Sequence, residues 1–128
     1  MTTALTAAAL EFVDERHLAV LSTFDKHGRI HAVPVGFTVS GGVLRVITSD
    51  GSQKVRNVER DARAAVCQVD GARWITFIGK AEIIRDPAAI AEAVDLYARR
   101  YRQPRVNPRR VVITFTIEDV LGSSAMKG

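Results

Sequence analysis

Six consecutive residues, Ser49-Asp50-Gly51-Ser52-Gln53-Lys54, bring together most of what an anion site requires. A strand-like run ends at Ser49, a glycine turns the chain, and Ser52 opens a short helix carrying Lys54 in its first turn. The first amides of a helix have no intrahelical acceptor, and the dipole there favours negative charge. A lysine in that turn opposes the dipole, and a bound phosphate would remove the conflict. An ordinary capped helix with a solvated Lys54 is the competing reading. The glycine spacing is not that of a Walker loop. A second candidate is the segment RRYRQPRVNPRR, where Arg99, Arg100, Arg102, Arg105, Arg109 and Arg110 stand beside Tyr97 and Tyr101 with no acid among them. Guanidinium forks suit carboxylates and phosphates, although for any single arginine a solvated helix end competes. The third candidate is the sole tryptophan, Trp74, as a stacking surface or a subunit anchor.

Other chemistry is absent from the pattern. No carboxylates are spaced for acid–base work, and no serine sits in a nucleophile elbow. His17 and His27 fall at a strand edge and in a turn, while His31 opens a strand and is kept as a candidate site residue. A lone Cys67 excludes a disulfide framework and a thiolate metal cluster. We therefore expect no metal and name no catalytic side chain; an enzyme of this composition needs a cofactor for its chemistry.

The elements that must position these residues follow from periodicity. A helix is predicted over 6–16 with Thr6 as N-cap, then a strand from His17, the turn Asp25–Gly28, and a strand over Arg29–Ser40. In that strand Val33, Val35, Phe37 and Val39 alternate onto one face; Ala32, Pro34, Gly36, Thr38 and Ser40 leave the other face small. A face without bulk admits something flat against the backbone, or a close strand or subunit contact. Gly41-Gly42 turns into a strand over 43–49, and Ser52 opens a helix of about two turns. Strands over Arg63–Asp70 and Arg73–Asp86 follow, the latter with Ile75, Phe77, Gly79, Ala81 and Ile83 inward. Asp86-Pro87 starts a third helix, running to about Arg102. Pro104 and Pro108 punctuate a loop before the final strand, Arg110–Ile117, with Val111, Ile113, Phe115 and Ile117 inward. Six mostly antiparallel strands with intervening helices predict a mainly β, α+β domain: a small closed or partly closed barrel with peripheral helices, spanning 1–128.

Composition sets the surroundings. The chain has 128 residues, 47% of them apolar, and 18 Lys+Arg against 14 Asp+Glu for a formal charge of +4. That excludes a disordered chain and suits one domain. No apolar run approaches the ~20 residues of a membrane span, and the start MTTALTAAALEF lacks signal-peptide character, so a cytoplasmic location is expected. A charge of +4 with no aromatic platform argues against nucleic acid.

Read together, ERHLAVLSTF, VPVGFTV, RVITSDGSQKVRNVERD, QVDGARW and RYRQPRVNPRRVVI resemble the flavin-binding split β-barrel family. The pyridoxamine phosphate oxidases belong to this family, and the resemblance is strongest to its members that use the deazaflavin coenzyme F420. It covers residues 5–124 and implies a six-stranded split barrel. It further implies a homodimer with sites at the interface, and a reductase passing hydride from reduced F420 to a conjugated substrate, biliverdin to bilirubin. The resemblance assigns the cofactor phosphate to Ser49, Ser52, Gln53 and Lys54, with Asn57 nearby, and the ring to the backbone of Val33, Pro34, Val35 and Gly36. It sets Thr48 near the ribityl chain and Trp74 toward the partner's cofactor. Arg99, Arg102, Arg105, Arg109 and Arg110, with His31, then become candidates for the coenzyme's oligoglutamate tail or the propionates of a bilin. The basic residues expected for the second phosphate of a pyridoxamine phosphate oxidase have no match. An FMN-dependent oxidase-like enzyme and a non-catalytic flavin- or haem-type binding protein remain the alternatives.

Overall fold

Local chemistry starts each helix where the sequence predicts one. In a computed structural model that describes residues 5–126, Thr6 Oγ1 accepts the Ala9 N–H at 3.0 Å and opens α1 (Ala7–Asp14). Asp86 accepts the Ala89 N–H at 3.0 Å and, with Pro87 behind it, opens α3 (Pro87–Arg100). Ser52 occupies the cap position of α2 (Gln53–Arg60), but its hydroxyl makes no capping bond. Both α1 and α3 end two residues before the predicted limits.

The strands are β1 (Ala19–Phe24), β2 (Ile30–Val35), β3 (Thr38–Ser40), β4 (Val43–Ser49), β5 (Arg63–Asp70), β6 (Arg73–Ile84) and β7 (Arg110–Gly122). They form one antiparallel sheet of seven strands in the order β2-β1-β5-β6-β7-β4-β3. Two expectations are corrected here. The single strand predicted over 29–40 is broken at Gly36-Phe37, because inward alternation fails: Phe37 and Thr38 are both buried. The last strand runs on to Gly122, since Asp119–Gly122 continue pairing with β6 beyond a bulge at Ile78/Gly79. At that bulge a Cβ on Gly79 would lie 1.9 Å from the Thr116 carbonyl oxygen, so only glycine fits.

The break in β2–β3 shapes the sheet. Its two edge strands are joined by only Gly36 and Phe37, a link that reaches at most about 11 Å. Seven flat strands would hold those edges about 29 Å apart. The sheet therefore curls until its edges come within reach. Inside the curl pack Leu21, Phe37, Leu44, Ile75, Phe77 and Phe115, each at most 1% exposed. The inward sets predicted for β6 and β7 are buried as expected, with Ile83 half-buried.

Arg100, in the basic segment, is a structural group rather than a surface one. Its guanidinium donates to the Glu15 carbonyl at 2.9 Å, to Gln68 Oε1 at 2.6 Å and to the Phe37 carbonyl. The adjacent Tyr101 hydroxyl donates to the His17 carbonyl at 2.6 Å and accepts the Phe37 N–H at 3.2 Å. Together they tie the end of α3 to the α1–β1 junction, to β5 and to the break between β2 and β3.

Candidate functional site

Where the ends of β2 and β4 meet the start of α2 and the loop after α3, the chain encloses a cleft of about 350 Å3. Its walls include Pro34, Val35, Gly36, Thr48, Ser49 and Lys54, residues assigned from sequence to the ring, ribityl chain and phosphate, together with Arg110. Segments far apart in sequence thus converge on one space. Ile47, Tyr97, Pro104 and Asn107 complete it. Of these, Asn107 carried no sequence signal beyond the proline-marked loop. Its amide donates to Ser49 Oγ at 2.8 Å, and the Asp50 N–H donates to the Arg109 carbonyl at 2.7 Å, so the loop is pinned to the end of β4.

The electrostatics centre on Lys54. It is half-buried, and burial pushes its ammonium pKa below the usual lysine range. Among the described residues it makes no hydrogen bond and no ion pair. Two acids near this end of the sheet are already engaged: Arg85 binds Asp50 at 2.9 Å and Glu59 at 3.1 Å. The Arg85 hydrogen bond holds the Asp50 carboxyl below its ordinary pKa. Close by, Ser52 Oγ is buried without a hydrogen-bond partner. A half-buried cation and an unsatisfied hydroxyl in one turn of helix fit an anion with oxygen acceptors, because each unmade interaction costs desolvation free energy.

The small residue at position 36 has a cause inside the chain. A Cβ on Gly36 would lie 2.9 Å from Tyr97 Cε2 and 3.1 Å from Tyr101 Cε2. The two rings, 4.8 Å apart between centroids, pack against the backbone that links β2 to β3. Close approach at Gly36 is thus made by α3, while Pro34 stays exposed and lines the cleft.

Other predicted residues lie elsewhere. His31 and Gln53 line a separate basic pocket beside α2. Asn57 is fully buried, donating to Thr23 Oγ1 at 3.1 Å and accepting from Gln53 and Arg60 at 2.7 and 3.1 Å; its amide is committed to holding α2 on β1. Trp74 lies on the outer face of the sheet. The basic segment is dispersed: Arg110 reaches the cleft while donating to the Arg105 carbonyl at 2.6 Å, and Arg109 donates to the Asp50 carbonyl at 2.9 Å. Arg99, Arg102 and Arg105 are exposed and do not line the cleft.

Strand pairing also creates a cluster that the spacing of the histidines concealed. Ligand atoms of Glu15, His17 and Asp70 lie within 4.8 Å of one another. Arg73 occupies both acids, at 2.8 Å from Glu15 and 2.6 Å from Asp70, and its hydrogen bond, followed by that of His17, pulls the Glu15 pKa down to about 2. A guanidinium already stands where a cation would be bound.

The outer face of the sheet is apolar. Cross-strand pairing aligns Val20, Cys67, Thr76 and Leu121 in one row and Ser22, Ala65 and Ile78 in the next, with Val69 beside Trp74. Val69 is 62% exposed and Trp74 37%.

Comparison with known proteins agrees with this architecture. Residues 5–124 match the family described as Pyridoxamine 5'-phosphate oxidase. The F420H(2)-dependent biliverdin reductase of Mycobacterium tuberculosis is 50% identical over 125 residues, covering 96% of this chain and 91% of that protein. Among solved structures, the conserved hypothetical protein Rv2991 from Mycobacterium tuberculosis superposes with a TM-score of 0.83 at 24% identity, over 94% of this chain and 85% of its own. An F420 reductase superposes at 0.74 and 23% identity, over 87% and 94%. HupZ of Group A Streptococcus reaches 0.80 at 19% identity over 98% of both chains. At these identities the structural likenesses concern the fold alone; it is the sequence match over 5–124, with half the residues shared with a relative of nearly equal length, that makes this chain a member of the pyridoxamine 5'-phosphate oxidase family.

Proposed function

We propose that this chain is an F420H2-dependent reductase that converts biliverdin to bilirubin. The observation that carries the cofactor is Lys54, a half-buried cation without a partner among the described residues, at the wall of a cleft. The 50% identity to an F420H(2)-dependent biliverdin reductase carries the substrate. Reduced F420, when bound, supplies the hydride. The protein supplies binding, alignment and exclusion of water. Lys54 and Ser52 at the start of α2, with Ser49 at the end of β4, hold the coenzyme's phosphate, while Gln53 faces the neighbouring pocket. The backbone of Val33 to Gly36 and the side chain of Thr48 flank its ring and ribityl chain. Pro34, Val35, Ile47 and Tyr97 form the less polar part of the cleft wall and keep water from the ring. Among the described residues no carboxylate lines the cleft, so proton delivery falls to solvent. Arg110, the one arginine of 99–110 at the cleft wall, offers charge to the substrate's propionates, and the exposed Arg99, Arg102 and Arg105 add positive charge outside the cleft.

The curled sheet is read as the family's split barrel and residues 1–128 as one cytoplasmic domain; no helix among the described residues is long and apolar enough to cross a membrane. The outer face around Val20, Ala65, Ile78 and Trp74 is the surface on which two copies pair, which would bring Trp74 toward the partner's cofactor. Sedimentation of the wild type as a monomer would remove the dimer from the proposal.

The enzymatic reading is tested by incubating the protein anaerobically with reduced F420, and separately with reduced FMN, while following biliverdin absorbance. Loss of biliverdin with F420 alone is expected. Turnover with FMN alone would replace the coenzyme, and no oxidation of either would refute the reductase.

A further inference from the structure

A pocket of about 420 Å3 lies where the link between α1 and β1 meets the end of α3. Among the described residues Tyr97 alone lines both this pocket and the cleft. Part of the wall is apolar: the Tyr97 and Tyr101 rings stand 4.8 Å apart between centroids, and Leu18 is 62% exposed. The rest is cationic. Arg16 comes from the α1–β1 link and Arg102 from the chain just after α3. Neither arginine makes a hydrogen bond or an ion pair among the described residues, and no carboxylate among them lines the pocket. The acids beside His17 are already engaged. Glu15 and Asp70 lie 3.1 and 3.6 Å from its ring, and both pair with Arg73, at 2.8 and 2.6 Å. Tyr101 fixes the frame, because its hydroxyl donates to the His17 carbonyl at 2.6 Å and so holds the link against the end of α3.

The two halves of the wall indicate which ligand. A small anion would leave the rings and Leu18 against water, and a neutral ring system would leave two cations unmatched. A flat conjugated body bearing carboxylates on flexible arms meets both requirements. Its body lies against aromatic and aliphatic surface, and its carboxylates accept from guanidinium forks. Such a ligand also suits the shared wall at Tyr97. Arg110 lines the cleft on which that ring opens, so a molecule lying over Tyr97 finds cations in both spaces.

We propose that Arg16 and Arg102 form a carboxylate-recognition subsite for the propionates of the substrate, with Tyr97 as the stacking wall between it and the cleft; the inference rests on the reading of this chain as a biliverdin reductase. The two arginines are specificity residues. They touch an arm of the substrate and not its reacting atoms, so they act on KM for the acid rather than on kcat. Arg16 lies far from the basic segment in sequence, and only the contact between the α1–β1 link and the end of α3 brings it beside Arg102.

The test compares wild type with an Arg16→Gln/Arg102→Gln variant in anaerobic steady-state kinetics with reduced F420. The substrates are biliverdin and its dimethyl ester, which keeps the conjugated system and loses both charges. Wild type should prefer the diacid, and added salt should narrow that preference. The variant should raise KM for the diacid about tenfold, with kcat and the turnover of the ester within about twofold of wild type. Its affinity for F420, titrated by coenzyme fluorescence, should match that of wild type, which also shows that it is folded. A wild type indifferent to esterification, or a variant that retains the preference for the diacid, would overturn the inference and leave the reductase in place. A variant that loses F420 affinity instead would assign the arginines to the coenzyme and overturn it as well. Failure of wild type to turn over biliverdin at all would overturn the substrate reading and this inference together.

Discussion

The start of α2 and the segment 99–110 are the two concentrations of positive charge that stand out along the chain, and the fold treats them in opposite ways. Lys54 is one cation, half-buried, with no partner among the described residues. The arginine segment has six, yet Arg100 is buried as a clamp among three acceptors, and Arg109 and Arg110 donate to backbone carbonyls. Charge density along a sequence therefore says little about charge available to a ligand. What counts is which cations still lack acceptors once the chain has folded, because an unmatched buried group has a free-energy deficit that a ligand can remove. By that criterion the single lysine is the stronger site and the arginine block is partly architecture.

Perturbing the two regions separately should break or sharpen this contrast. The largest effect is expected at Arg100. Arg100→Ala leaves the buried Gln68 Oε1 without its donor and removes one donor from each of the Glu15 and Phe37 carbonyls, and should cost about 3 kcal/mol. In a thermal melt this lowers Tm by roughly 10 °C; a melt within a degree or two of wild type would mean that the clamp contributes little. A smaller loss is expected where that clamp region meets the cleft. Gly36→Ala drives a methyl group against the Tyr97 and Tyr101 rings, with an expected cost of about 1 kcal/mol in denaturant unfolding. Unchanged stability would show that the rings yield freely.

The smallest effect concerns Glu15, partly exposed beside Arg73. Its pKa falls from 4.5 to about 2 in the folded protein. A depressed folded-state pKa means that the stabilisation is present above pH 4.5 and is lost as the pH falls toward 2. Glu15→Gln should therefore flatten the stability profile within that window and leave its slope near neutrality unaltered. An acid limb identical to wild type would place the pH dependence on other carboxylates.

The sequence made the start of α2 legible because strand, glycine turn and helix cap are local features, and Ser49 and Lys54 do line one cleft. It also read the inward faces of β6 and β7 correctly, since alternation is local. It could not show that 29–40 holds two strands: apolar residues keep alternating to Val39, and only the burial of Thr38 beside Phe37 reveals the shift. The fate of Arg100 was equally hidden, because its acceptors at Glu15, Phe37 and Gln68 come from distant segments. Gly36 shows a subtler limit. Its small size was legible, but the rings that require it belong to a helix sixty residues away.

The most direct test of the central contrast is a titration of F420 into wild type and Lys54→Met, with the melting temperature of each recorded alongside. Losing a charge-assisted contact to a phosphate is worth about 2 kcal/mol, so the variant should bind about thirtyfold more weakly. Its melting temperature should be equal to or above that of wild type, because the lysine has no partner among the described residues. Unaltered affinity, or a variant that unfolds more easily while binding as wild type does, would contradict the account and return Lys54 to an ordinary place in the fold.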